Sequence, residues 1–253
     1  AFNDPDGLRF HMEPTAVGEV PVLQCADRTD FETLVRVLVH RNEPKPVPAS
    51  MGAVLISGLV NPDRLLKLKA AFFEHHPSAR QIDWKKHFEN LRRTNKESYQ
   101  DRLIVLSTGP YSGLSASEVP MEPQDWIDRS TSIRIHHETT HLYTRRVYGV
   151  MNNNLLDELI ADFTGIRRAM GAFDARLFLR FMGITPDGDY DGTGRFSNYL
   201  LHPVPLPENA WGIQARIVKM AAESLERWAT TLHGDSGGEL SDPFLIDSLC
   251  RGS

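Results

Sequence analysis

Two histidines four residues apart, His137 and His141, enclose Glu138 in the segment His137-Glu138-Thr139-Thr140-His141 of this 253-residue chain. On a helix, residues four apart lie one turn apart on one face, so both imidazoles can aim at a single point, which is metal-ligand spacing. Glu138 is rotated about 100° from His137, so it flanks a metal without ligating it and can act on water there as general base. A catalytic zinc also needs a third protein ligand and an open fourth position. Glu158 lies 17 residues beyond His141, across a turn at 149–154 that can fold a second helix back along the first. Asp162, four residues further on the same face, can accept the outer N–H of a ligating imidazole, that of His137 first, and so fix its tautomer. Asp162 and Asp157 are rival third ligands, with Glu158 then a solvated side chain. His136 faces another side of the helix and reads as a neighbour of the site or a surface residue, since a fourth protein ligand would close the open position. A carboxylate-bridged di-iron site needs two E-x-x-H elements, and only Glu138–His141 fits.

His137-Glu138-Thr139-Thr140-His141 followed by Asp157-Glu158-Leu159-Ile160-Ala161-Asp162 resembles the gluzincin, thermolysin-like branch of the zinc metallopeptidases. The resemblance spans residues 137–162. It implies a zincin-like architecture with one zinc ion per chain, Glu158 as the third ligand, Asp162 behind the first histidine, Glu138 as the base and an amide as the bond attacked. Asp157 stands where that family has Asn, the spacing between the two helices is shorter, and Thr139-Thr140 replaces an apolar-small pair. These departures bear on substrate class more than on the metal.

Amide hydrolysis builds an oxyanion that a Tyr, His or Arg can stabilise. Tyr199 and His202 are the candidates carried forward, with Arg195 in the same loop-like stretch. Tyr143, Arg145, Arg146 and Tyr148 follow the histidine pair, although Arg145 and Arg146 also suit a helix C-terminus. Residues 103–106, Leu-Ile-Val-Leu, are the candidate edge strand for holding a substrate backbone by strand addition, or else an ordinary buried strand. Asp187-Gly188-Asp189-Tyr190-Asp191-Gly192 has the alternating carboxylates of a calcium loop, without the closing Glu and with Arg195 at an awkward position. Its alternative is a solvated Asp/Gly turn.

These residues need two helices to carry them and a scaffold to hold the helices. The histidine helix should run over 124–148 and stop at Gly149, and Asn152-Asn153-Asn154 should cap a second helix over 155–170. Further helices are expected at 174–182 and 208–233. In the latter, Ile213, Ile217, Met220, Leu225, Trp228 and Leu232 read as one core-facing stripe. Before them, residues 1–29 read as loop or short strand, Phe31 to Val39 recur at helical spacing, and 53–60 and 103–106 are apolar β-rich runs. Asn61-Pro62 opens a helix to about residue 76, and 82–99 is a charged helical stretch. The Gly/Ser/Pro-rich connection at 108–123 marks a boundary. The expected fold is therefore α+β, with a small mixed lobe bearing a sheet (1–123), a helical lobe bearing the metal helices (124–253), and the zinc site between them.

Bulk properties narrow the partners. With 41% hydrophobic and 24% charged residues the composition is that of an ordinary globular chain. A net charge of -5 without a Lys/Arg block gives no footprint for nucleic acid or an anionic membrane. No apolar run is long enough to span a bilayer and the first residues lack a signal-peptide pattern, so the expectation is cytoplasmic, or secreted after removal of a leader. Two cysteines, Cys25 and Cys250, are too few for a disulfide framework or a thiolate zinc site and read as inert thiols unless the chain ends meet. The leading functional expectation is a zinc-dependent hydrolase, a metallopeptidase acting on a peptide amide. A zinc enzyme acting on a small-molecule or carrier-bound intermediate is the alternative, and a non-catalytic zinc-binding regulatory protein the third reading. Glu138 argues against the last, because a structural site has no use for a base.

Overall fold

In a computed structural model that describes residues 1–149, 154–200, 205–236 and 241–252, the β-rich runs of the N-terminal part pair into one four-stranded sheet. Its strands are β1 (Leu8–Thr15), β2 (Gly18–Cys25), β3 (Ala53–Val60) and β4 (Gln100–Ser107), in the order β1-β2-β4-β3. β1 and β2 form an antiparallel hairpin, β2 runs parallel to β4, and β3 antiparallel to β4. Two open readings resolve here. Residues 1–29, expected as loop or short strand, contain two full strands; their pattern is weak because β1 is an outer strand that leaves Phe10 and Met12 exposed. Residues 103–106, expected at an edge or else in an ordinary buried strand, lie in an interior strand. Four apolar residues in a row need both faces covered, and here Ile104 and Leu106 pack to one side, Leu103 and Val105 to the other. The edge on that side is β3.

Three helices punctuate the sheet: α1 (Arg28–Leu38), α2 (Pro62–His75) and α3 (Gln81–Thr94). The side chains of Asp27 and Asn61 accept from the backbone N–H groups of Asp30 and Arg64, satisfying donors that the first turns of α1 and α2 leave open. α1 covers one sheet face, where Phe31 and Val35 meet Cys25, Ile56 and Val105. The opposite face packs on α4 (Pro123–Val147) through Leu142 and Ile135 against Val22, Leu55, Ile104 and Leu106. α4 stops short of Gly149, whose φ of 84° is a left-handed conformation that glycine adopts without strain.

α5 (Asn154–Met170), α6 (Ala175–Met182), α7 (Phe196–Leu200), α8 (Glu208–Ser236) and α9 (Asp242–Gly252) build the helical part. Its core gathers Trp126, Ile133, Phe163, Ile166, Phe178 and Phe181. α5 lies close along α4: a Cβ added at Gly165 would come within 2.8 Å of the Ile133 carbonyl oxygen, so no larger residue fits that crossing. The expected stripe on α8 is corrected. Ile213, Ile217 and Met220 are exposed, while Ala215, Val218, Ala222, Leu225 and Ala229 form the buried face. Met220 to Leu225 is five residues, about 140° off a common face at 100° per residue, so the stripe merges two faces. Leu232's side chain lies outside those described. Cys25 is buried between the sheet and α1, and Cys250 packs beside Ile246 and Ile160, so the two thiols belong to different clusters. Among the described residues no helix is long and apolar enough to cross a membrane.

Candidate metal centre

α4 is unusual in burying polar side chains along most of one side: Ser130, Arg134, His137, Glu138, Thr140, His141 and Thr144. Buried polar groups need partners, and Thr139 and Thr140 find theirs within the helix, where their hydroxyls donate to the His136 carbonyl at 3.1 and 2.7 Å. Thr139 and Thr140 are thus absorbed by the backbone and form no wall of the site. His137, Glu138 and His141 instead face a cavity of about 540 Å³ shared with Glu158 of α5, Gly52 and residues 53–55 of β3.

Across that cavity floor three ligand atoms converge. His137 Nε2 lies 3.0 Å from His141 Nε2 and 3.4 Å from Glu158 Oε2, and His141 Nε2 lies 3.5 Å from Glu158 Oε1. His137, His141 and Glu158 are the one group of three or more His, Cys, Asp or Glu among the described residues able to hold a metal ion together. The Nδ1 of His137 is 2.8 Å from Asp162 Oδ1. Donating a proton there leaves the Nε2 lone pair free and aimed at the other imidazole.

The shell behind the ligands is dry and charged. Asp162 is fully buried and accepts from Tyr111 Oη at 2.6 Å as well as from His137, while the Arg195 guanidinium bonds its second oxygen. Arg195 also reaches Tyr111 Oη at 3.4 Å and lies 3.8 Å from Glu158 Oε2. Burial by itself would raise the Asp162 carboxyl, but Arg195 and His137 hold it below the usual carboxylate range. Burial likewise works against the charge on Glu158, and His141, His137 and Arg195 overcome it to keep that carboxyl low. For His141, burial opposes protonation, yet Asp157 and Glu158 carry its pKa up to about 10. The carboxylates therefore favour positive charge at the point where the imidazoles meet, a demand that a cation satisfies. Burial raises the Tyr111 phenol well above its ordinary range and keeps it a donor.

The remaining expected residues separate into distinct places. Asp157 sits behind His141, its Oδ2 3.1 Å from Nδ1, and accepts from Thr144 Oγ1, so it stands outside the ligand triangle. Asp162 also stands behind an imidazole and not in the triangle. His136 is half-buried away from the cavity, its pKa lowered by burial. Tyr199 lines the cavity, and its hydroxyl donates to Glu158 Oε2 at 2.9 Å. His202 lies outside the described residues. Arg145 lines the cavity mouth. Tyr143 and Tyr148 both donate to Asp247, and Arg146 to the Val17 carbonyl. In the Asp187–Asp191 turn, Asp191 Oδ1 accepts from Thr193 and Asp189 lies 3.6 Å from Arg216. These carboxylates serve the turn and a surface pair.

Sequence reasoning missed Tyr111 and Arg134. Tyr111 comes from a single 3₁₀ turn, Tyr111–Gly113, inside the connection read as a boundary. Arg134 sits one turn before His137 on α4, and its i, i+4 relation to Glu138 is the signal that could have found it. No curated protein and no solved structure matches the chain. A family model described as "Family of unknown function (DUF7005)" matches residues 1–253, and the chain belongs to that family.

Proposed function

We propose that this chain is a zinc-dependent hydrolase of the metallopeptidase kind, in which His137, His141 and Glu158 hold one zinc ion and Glu138 is the general base. The observation that carries the reading is the ligand triangle with edges of 3.0, 3.4 and 3.5 Å. Tetrahedral zinc with legs of about 2.0–2.1 Å asks for edges of about 3.3 Å. The locked His137 tautomer and the open cavity beside the triangle agree with it. A bound zinc ion polarises a carbonyl and lowers the pKa of water.

The protein residues divide the rest of the work. Glu138, on the cavity side of α4, takes a proton from the attacking water as its oxygen adds to the amide carbon, and passes that proton to the leaving nitrogen as the C–N bond breaks. Tyr199 holds Glu158 in its ligating orientation. Tyr111, Asp162 and Arg195 fix His137, as outer partners of metal-bound histidines do. The outer edge of β3, beside the cavity, offers unpaired backbone groups to an extended chain, which favours a peptide substrate and a zincin-like architecture. The cavity volume of about 540 Å³ also lies in the small-molecule range of about 300–1,000 Å³, which favours an amide-bearing small molecule or carrier-bound intermediate as the second reading.

Metal analysis of the purified protein should find about one zinc per chain, by the ligand count of a three-residue site with an open fourth position; a value near zero overturns the proposal. Glu138→Gln should keep the zinc and lower turnover of peptide amides by about 10²–10⁴-fold, the usual worth of a general base. Full activity in that variant would remove Glu138 from the chemistry. Turnover of small amides with none of peptides would select the second reading.

A further inference from the structure

Three arginines are buried in the described structure: Arg134, Arg167 and Arg195. Two of them meet an aspartate. Arg195 pairs with Asp162 and Arg167 with Asp242. Arg134 is 5% exposed, and among the described residues no carboxylate pairs with it. Its Nη1 and Nη2 donate to the Gly109 and Pro110 carbonyls at 2.7 and 2.9 Å, its Cζ lies 5.6 Å from the Tyr111 ring centre, and its Nε is buried with no partner. Two backbone carbonyls orient a guanidinium but do not neutralise it, and three of its five N–H groups are left over. Gly52 presses against it: a Cβ there would lie 2.2 Å from Nε.

Arg134 also lines the cavity of the metal centre. Positions 134, 138, 141 and 145 follow the i, i+4, i+7, i+11 spacing of one helix face, which places Arg134 about 6 Å before Glu138 along that face. Exposed Arg145 stands one turn beyond His141 at the other end of the same cavity. Burying a charge without its counter-ion is costly unless something arrives to pair with it. A planar guanidinium with free N–H groups suits a carboxylate better than a neutral group does.

We propose that Arg134 is the receptor for a carboxylate of the substrate, so that the bond attacked lies within about one helical turn of an acidic group. Burial lowers the Arg134 pKa to about 10, Tyr111 works against that shift, and Arg28 and Arg195 add to it, which leaves the group charged at neutral pH. What is cleaved rests on the zinc-hydrolase reading; the anion site does not.

Succinate and its uncharged isostere succinamide are the probes, titrated calorimetrically into metal-free and zinc-loaded protein. Metal-free protein isolates Arg134, because a carboxylate can ligate zinc directly. Succinate should bind in both states and succinamide in neither. Arg134→Gln should weaken succinate about tenfold or more, the worth of a charge-assisted hydrogen-bonded pair, while Arg134→Lys retains part of the affinity. If Arg134→Gln fails to fold, Gly52→Ala, which displaces the guanidinium, should weaken succinate in its place. Equal binding of succinate and succinamide, no binding of succinate, or unchanged affinity in folded Arg134→Gln or Gly52→Ala protein overturns the proposal. Zinc content is measured on the same samples. Succinate binding by protein that takes up no zinc when zinc is supplied sinks the hydrolase reading alone, and zinc uptake without succinate binding sinks this one alone.

Discussion

Asp162 performs two tasks with its two oxygens, orienting His137 with one and neutralising Arg195 with the other. Asp162→Asn keeps the shape and removes the charge. The variant should lower zinc affinity about 10–100-fold, as loss of an outer partner does. It should also cost about 3–5 kcal/mol of stability, because Arg195 would stay buried without its counter-ion. Chelator competition and urea unfolding measure the two effects, and zinc affinity within twofold of wild type would show that Asp162 does not orient the ligand. Asp157→Asn should do less on both counts, since Asp157 is partly exposed and shares its charge with solvent. The triangle and Asp162 were legible in the sequence because each pair sits on one helix face, where i, i+4 spacing translates directly into proximity. Tyr111 was not: it reaches Asp162 across 51 residues of chain, a tertiary contact for which local spacing carries no signal. Arg134 is one of several charges on a charged helix, and beyond its i, i+4 relation to Glu138 what distinguishes it is burial without a carboxylate partner.

Among the elements, those with one clean period were legible and those with two were not. The helices that became α2, α4, α5 and α6 were anticipated within a residue or two, helped by the breakers Asn61-Pro62 and Gly149. α8 carries a small-residue face and a larger apolar face side by side, and sequence hydrophobicity favours the larger. The alanine face is the one that packs, since small residues permit close approach of helices. Ile217→Glu should therefore change stability by no more than about 0.5 kcal/mol, as surface substitutions do. Ala222→Leu should cost about 1–3 kcal/mol by overpacking. Urea midpoints for the two proteins check this, and the reverse ranking would restore the original stripe. The two readings open for β4 have a similar root: an apolar run fixes that a strand is covered, whereas edge or interior depends on partners arriving from elsewhere in the chain, here β2.

At the scale of the molecule, α4 is the wall common to the sheet and the helical core, touching β3 and β4 on one side and α5 on the other. A metal held between α4 and α5 therefore fastens the wall to the core. Zinc present at about 100 times its Kd should add about 2.7 kcal/mol. For a chain of this size that is about 5–10 °C in Tm at roughly 2–4 °C per kcal/mol. Stripping the metal with a chelator should remove that increment in wild type and leave Glu158→Ala unchanged; a wild-type Tm indifferent to metal would show that the ion does not join the two helices.

The close crossing at Gly165 gives the centre a gauge. Glu158 rides on the same helix two turns earlier, so the missing side chain at position 165 sets how near that carboxylate comes to the imidazoles. A single methyl group there would prise the helices apart at the backbone and widen the triangle without touching any of its corners. On the proposed reading, metal affinity would thus be governed in part by a residue that has nothing to coordinate with.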